Sequence, residues 1–88
     1  MLHPGQIITI PQQIFNGVLL DTRHSPCWED PRSFNVASHV SPGDRVKVLV
    51  IRYETEIKIK IINGDDPEVT CWSDKAILDP DYPGLIKR

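Results

Sequence analysis

The sequence lacks most of the features that mark a class of function. Its formal net charge is −2, whereas a general nucleic-acid-binding protein usually shows a clear basic excess. Its longest apolar run covers only residues 48–51, far short of a membrane-spanning segment. The first residues carry neither the basic segment nor the apolar segment of a secretory signal. We therefore expect a cytoplasmic protein without a membrane partner.

Helix-forming residues are scarce as well. The chain has two alanines and one methionine, against eleven isoleucines and seven valines. β-Branched residues favour strands, so this usage predicts an all-β fold. A length of 88 residues leaves room for one domain, residues 1–88. We expect a small single barrel of about five strands, OB-like or SH3-like.

A first hairpin is indicated by Asn16-Gly17, because both central residues of a type I′ turn need a positive φ. A strand at residues 6–10 ends at Pro11, and residues 12–15 resume it before the turn. Residues 18–21 form the returning strand. The segment therefore predicts two short strands that pair with each other.

The clearest pattern is a pair of alternating apolar runs, 45–53 and 56–63, on either side of Glu54-Thr55. A turn at these two residues predicts a hairpin in which Tyr53 lies opposite Glu56. One face of this hairpin enters the core and carries Val46, Val48, Val50, Ile57, Ile59 and Ile61. The opposite face mixes charged residues with Leu49, Ile51 and Ile62.

The rest of the chain gives weaker patterns. Prolines interrupt residues 22–42, and we interpret this stretch as a long irregular excursion between strands, with one short strand candidate at 33–37. Residues 68–73 predict a further strand that places Val69 and Cys71 on one side. Residues 74–78 predict one helical turn after it.

Cys27 and Cys71 are the only cysteines. Nothing in the sequence marks an oxidising compartment, so two buried, reduced thiols are the preferred interpretation, although a disulfide is geometrically open. A zinc site formed with His24 and His39 is a further alternative. It has one close pair of ligands, His24 and Cys27, where structural zinc sites normally show two.

Motifs for catalysis are missing. The chain has three histidines and several serines, but it has no G-x-S-x-G elbow and no P-loop. A barrel of this size also leaves little room for an enzyme-sized pocket. We expect no enzyme, and no cofactor, bound metal or catalytic residue.

Two features favour protein binding. Trp28 lies in the proline-interrupted stretch, and tryptophan is enriched at binding hot spots. On the mixed hairpin face, Leu49, Ile51 and Ile62 leave an apolar strip beside Tyr53. Either residues 22–42 fold over this strip or a second copy of the chain binds it, and we favour the homodimer.

The main hypothesis is therefore a non-catalytic protein-binding module, an adaptor or a small inhibitor of the kind that mobile genetic elements encode. Single-stranded nucleic acid, RNA above all, is the alternative partner. Four cations share the mixed face with Tyr53, and such a face can bind phosphate and stack a base: Arg45, Lys47, Lys58 and Lys60. The same cations also fit a solvated surface that discourages aggregation, which the net negative charge favours.

Three segments resemble S1-type OB-fold domains. They are the strand opening Gly43-Asp44-Arg45-Val46-Lys47-Val48, the later Glu56-Ile57-Lys58-Ile59-Lys60-Ile61 and the early Phe15-Asn16-Gly17-Val18-Leu19-Leu20-Asp21. The resemblance covers about half of the chain and implies a five-stranded barrel that binds RNA through an aromatic and basic face. Phe15 and Lys47 are the positions it singles out.

Overall fold

The computed structural model describes residues 2–12, 14–15, 18–19 and 25–79. These residues form eight strands and one short helix. In chain order the elements are β1 (Ile7–Thr9), β2 (Ile14–Phe15), β3 (Val18–Leu19), β4 (Ser25–Trp28), β5 (Val36–Val40), β6 (Arg45–Arg52), β7 (Glu56–Asn63), β8 (Thr70–Asp74) and α1 (Lys75–Leu78). The prediction of an all-β fold is confirmed.

Six of the strands form one antiparallel sheet in the order β1-β6-β7-β8-β4-β5. In the described part of the chain, β1 and β5 each pair on one side only, so the sheet is open. The predicted closed barrel is therefore wrong. The β4–β5 hairpin extends the sheet beyond β8 instead of returning to β1, and a barrel closes only when its edge strands pair.

The first hairpin is confirmed. β2 pairs with β3 so that Phe15 lies opposite Val18, a register that leaves two residues for the connection. Asn16-Gly17 itself lies outside the described residues, as do residues 20 and 21 of the predicted returning strand. The strand predicted at residues 6–10 is β1, and the pairing continues where Ile10 donates its N–H to the Asp44 carbonyl at 2.8 Å.

The predicted long irregular excursion is wrong over residues 25–28 and 36–40, while residues 29–35 form a loop. This stretch contains β4 and β5, which pair with a register shift between Cys27 and Trp28. The strand candidate at 33–37 lies a few residues early, since β5 spans Val36–Val40. Pro26 lies inside β4 opposite His39. A proline has no N–H to donate to a ladder and usually marks a break, which is why the sequence pattern concealed this strand.

The central hairpin turns one residue earlier than predicted. Arg52 lies opposite Glu56, so the connection has three residues, and the predicted Tyr53–Glu56 pair is wrong. Tyr53 and Glu54 both adopt positive φ, 52° and 63°. Their residue types do not signal this conformation, which usually selects glycine or asparagine.

A bulge in β6 changes which residues face the core. The register shifts between Val48 and Val50, so Leu49 has no partner directly opposite it. Before the bulge Val46 and Val48 are fully buried, but after it Val50 is 41% exposed and Ile51 packs against the core. The predicted core positions are confirmed for β7 (Ile57, Ile59, Ile61) and wrong for Val50 and Ile51.

The core covers one side of the six-stranded sheet, which we call the inner face. Among the described residues, its buried members come from five strands (β4 to β8), from the residue that follows β1 and from α1: Ile10, Cys27, Val40, Val46, Val48, Ile57, Ile59, Ile61, Cys71 and Leu78. Val69 packs against this cluster, so its predicted placement beside Cys71 is confirmed.

A disulfide joins Cys27 of β4 to Cys71 of β8 inside this core, with their Cα atoms 5.4 Å apart. The preferred interpretation of two reduced thiols is therefore wrong, and the zinc alternative loses both of its sulfur ligands. The bridge spans 44 residues of chain, for which loop-closure entropy gives a stabilisation of about 4 kcal/mol. In an 88-residue chain this is a large share of the total stability.

The predicted helical turn is α1, which follows Asp74 and buries Leu78 against the core. It spans four residues. Within the described ranges there is no helix with the length and apolar character needed to cross a membrane.

Candidate functional site

The side of the six-stranded sheet opposite the core, which we call the outer face, carries the accessible apolar and aromatic residues. Side chains alternate between the two faces of a strand, so each buried residue places its neighbours on the outer face. In the described part of the chain, the large apolar residues that are exposed are Ile7, Phe34, Val36, Val50 and Tyr53. Four of them belong to sheet strands or to the β6–β7 turn, and Phe34 lies in the loop between β4 and β5.

Five residues form one continuous row across the outer face. Val50 lies opposite Lys58, and Lys58 lies opposite Trp72. Trp72 is the partner of Trp28, which in turn pairs with Val36 on the edge strand β5. Directly opposed side chains on neighbouring strands are close enough to contact one another. We call this line the central row.

Arg52 contacts Trp72, one of the two neighbouring tryptophans in the central row. Its guanidinium carbon lies 5.4 Å from the centroid of the Trp72 ring and 5.3 Å from that of Tyr53. Its Nε lies 3.9 Å from Glu56 Oε1. Cation–π contacts of this kind contribute about 0.5–1 kcal/mol when they are solvent-exposed. Arg52 therefore holds Trp72 and Glu56 in a defined arrangement.

Beside Trp28 and Trp72 lies a cavity of about 320 Å³ that we call the aromatic groove. Aromatic and apolar side chains line it together with two carboxylates. Its residues are Trp28, Pro31, Ser33, Phe34, Glu56, Trp72, Ser73 and Asp74. Phe34 is 93% exposed and forms one rim.

The loop that carries Phe34 is held by short-range hydrogen bonds. Glu29 N–H donates to the Asn35 carbonyl at 2.9 Å, which closes residues 29–35 into a compact loop. Inside it, Asp30 Oδ1 accepts from Arg32 N–H at 3.0 Å, and Ser33 Oγ accepts from Asn35 N–H at 2.9 Å. Local side-chain caps of this type order a turn without a surrounding core. The groove rim is therefore preorganised.

Two oxygen atoms near the aromatic groove lack hydrogen bonds within the described part of the chain. They are Glu56 Oε1 and Ser73 Oγ, and both atoms are buried. The 3.9 Å approach of Arg52 Nε to Glu56 Oε1 is an ion pair but exceeds hydrogen-bond length. Buried acceptors of this kind gain free energy when a donor reaches them.

The residues predicted for protein binding separate into three groups. Trp28 lines the aromatic groove, and Tyr53 stacks against Arg52 at the hairpin turn. Leu49 sits at the bulge and Ile62 on the outer face, both half-buried. Ile51 lies on the inner side, where it lines a separate cavity of about 250 Å³ with Leu2 and Ile57.

The predicted apolar strip is therefore wrong, because the bulge turns Ile51 away from Ile62. The homodimer prediction rested on this strip and loses that premise. The oligomeric state itself stays a prediction.

The basic residues predicted for nucleic-acid binding lie on the outer face, because they alternate with the buried residues of β6 and β7. Lys47 lies opposite Lys60, and Lys60 pairs with Glu68 at 2.8 Å. Arg45, Lys47 and Lys58 have no ion-pair partner within the described ranges. The side chain of Phe15, the position singled out by the OB-fold resemblance, lies outside what the structure describes.

Sequence reasoning missed Trp72, Phe34, Arg52 and Glu56 as site residues. Trp72 had a usable signal, because placing Cys71 in the core puts the next residue of the strand on the outer face. Arg52 and Phe34 had none: Arg52 reaches the outer face only because of the bulge, and Phe34 depends on a loop between two strands that the prolines concealed.

Among the described residues, no group of three or more His, Cys, Asp or Glu side chains is arranged to hold a metal ion. Comparison with known proteins found no matching family model, no matching curated protein and no matching solved structure. The resemblance to S1-type OB-fold domains stays a prediction.

Proposed function

We propose that this chain is a non-catalytic module that binds another protein through the outer face of its sheet, as an adaptor or a small inhibitor. The central row, with Trp28 and Trp72 side by side next to the aromatic groove, is the observation that supports this proposal. Tryptophan, tyrosine and arginine are the residue types most enriched at binding hot spots. The outer face places one or two of each beside the groove: Trp28, Trp72, Tyr53 and Arg52.

The energetics of this surface favour recognition over mere solubility. Binding a partner requires that side chains and loops lose freedom, at about 0.5–1.5 kcal/mol for each flexible side chain. Here Trp72 already contacts Arg52, and the loop of Phe34 is closed by its own hydrogen bonds. Much of that entropy is thus lost before a partner arrives, so the buried aromatic area contributes more fully to affinity.

Single-stranded nucleic acid, RNA in particular, is the second candidate, and the placement of Arg45, Lys47 and Lys58 on the same face as Trp72 favours it. The carboxylates of Glu56 and Asp74 line the groove at the tryptophans, and they repel phosphate. Lys60 is also neutralised by Glu68. Protein is therefore the better-supported partner.

A cytoplasmic location remains a prediction, and the Cys27–Cys71 disulfide argues against it. Structural disulfides persist mainly in oxidising compartments. We propose that the module acts where this bond stays oxidised. Thiol labelling of the chain in its native cells distinguishes the two: the disulfide resists labelling without reductant if the compartment is oxidising.

The test is capture of a partner with two matched variants. Immobilised wild type and Lys47→Ala are expected to retain the same protein from an extract of the native cells, while Phe34→Ser loses it. Both substitutions are at exposed outer positions, so neither disturbs the core. A captured protein that is indifferent to Phe34→Ser contradicts the proposal.

The nucleic-acid alternative makes the opposite prediction. Binding of a mixed-sequence oligonucleotide at low salt would be weakened by Lys47→Ala and would fall steeply as salt is added. Phe34→Ser would leave the salt dependence unchanged, because Phe34 carries no charge.

A further inference from the structure

We propose that the aromatic groove binds an arginine side chain of the partner protein. This inference rests on the proposed function and names what the groove accepts. It is carried by the combination of aromatic walls and two carboxylates, one of which, Asp74, is exposed.

The charge of the groove selects a cation. Glu56 and Asp74 both line it, and none of the described residues that line it is basic. Arg52 reaches Glu56 from the side, but only at 3.9 Å, so Oε1 is left without a hydrogen bond. Because Oε1 is shielded from solvent, a guanidinium in the groove would pair with the exposed carboxylate of Asp74, beside Glu56. Hydrogen bonds between charged groups are shorter and stronger than those between neutral groups.

The aromatic residues that line the groove favour a planar cation. A guanidinium is planar, is weakly hydrated and stacks on aromatic rings, whereas an ammonium is a compact and strongly hydrated point charge. One such contact exists within the chain, because the Arg52 guanidinium lies over the rings of Tyr53 and Trp72. Trp28 and Phe34 also line the groove, so aromatic side chains are available there to a guanidinium from outside.

The size of the groove suits one side chain. Its volume of about 320 Å³ is at the lower end of the range for ligand pockets, roughly 300–1,000 Å³. Pro31 and Ser33 line it from the same loop as Phe34, along which the backbone of an extended partner segment would pass. The occupant is thus a single arginine in a peptide segment rather than a cofactor.

The test uses three peptides that differ in one residue. They are acetylated, amidated Gly-Pro-Arg-Pro-Gly and the same sequence with citrulline or lysine at the centre. Citrulline keeps the shape of arginine without its charge. The chain has two tryptophans and both line the groove, so intrinsic fluorescence reports occupancy directly. We expect the arginine peptide to bind at least about tenfold more tightly than the citrulline peptide, with lysine between them.

Variants then locate the effect. Glu56→Gln and Asp74→Asn keep side-chain shape and should each reduce the preference for arginine over citrulline by about three- to tenfold. Lys47→Gln lies on the same face outside the groove and should leave that preference unchanged. Circular dichroism and urea unfolding confirm that each variant is folded, and Asp74→Asn serves if Glu56→Gln unfolds the chain, since Asp74 is exposed.

Equal affinity for the arginine and citrulline peptides, or no fluorescence change with any peptide, overturns the inference. So does a larger response to an oligothymidylate than to the arginine peptide at low salt. These results are distinguishable from failure of the proposed function: if capture of a partner is lost in Phe34→Ser but not in Asp74→Asn and Glu56→Gln, the outer face binds protein without using arginine.

Discussion

The two faces of strands β6, β7 and β8 are built from alternating residues of the same segments, yet they differ in solvent exposure and in residue type. On the inner face, Val48, Ile59 and Cys71 lie opposite one another and are at most 1% exposed. On the outer face, the next residues along, such as Lys58 and Trp72, remain partly accessible. The inner face is buried by packing and crosslinked by a disulfide. In the described part of the chain, no element covers the outer face. Stability and recognition are thereby assigned to different sides of one sheet.

Removing the disulfide should have the largest effect on stability. We expect Cys27→Ala with Cys71→Ala to lower the free energy of unfolding by about 4 kcal/mol, because the unfolded chain regains the freedom of a 44-residue loop. Urea denaturation measures this change. Reductant should destabilise the wild type by a similar amount and leave the double variant unaffected. A loss below about 1 kcal/mol contradicts this assignment of stability to the inner face.

Two valines separated by one residue provide a sharper comparison. Val48 is fully buried and Val50 is 41% exposed, solely because of the bulge at Leu49. Val48→Ala should cost about 2 kcal/mol, and Val50→Ala less than about 1 kcal/mol. Chemical denaturation of the two variants checks the difference. Equal losses would mean that strict alternation continues through β6 and that Ile51 faces outward.

That bulge also marks the limit of what the sequence could predict. The alternation of Ile57, Ile59 and Ile61 correctly identified the core side of β7, because a period of two is visible in residue types. A bulge shifts the alternation of side chains, but no residue type in β6 signals it. Strict alternation therefore places Val50 in the core and Ile51 on the outer face, the reverse of the structure. The apolar strip and its dimer followed from that error.

Prolines and cysteines set a second limit. Pro26 favours a loop, so the sequence does not reveal that β4 lies beside β8, its disulfide partner strand. Sequence spacing alone does not determine whether two cysteines face each other, since pairing needs Cα atoms within about 7 Å. The two tryptophans show the same limit. Alternation along β8 places Trp72 on the outer face, but only the β4–β8 pairing shows that Trp72 lies beside Trp28.

The ion pair on the outer face should contribute the least. Lys60 and Glu68 approach to 2.8 Å, but their side chains are 40% and 73% exposed. Lys60→Met should therefore change the free energy of unfolding by less than about 0.5 kcal/mol, because exposed pairs gain little in water. Thermal unfolding at low and high salt checks this. A loss of about 2 kcal/mol would mean that the outer face also contributes substantially to the free energy of unfolding.

The central claim is that the outer face, at the aromatic groove, is where another protein binds. Photo-crosslinking from single positions tests it most directly, with benzoylphenylalanine replacing Phe34 at the groove rim or Pro67 in the β7–β8 turn. Both positions are exposed, so the reactive group is tolerated at each. The account predicts a crosslinked partner protein from position 34 and none from position 67. Crosslinking from position 67 with none from position 34 would contradict it.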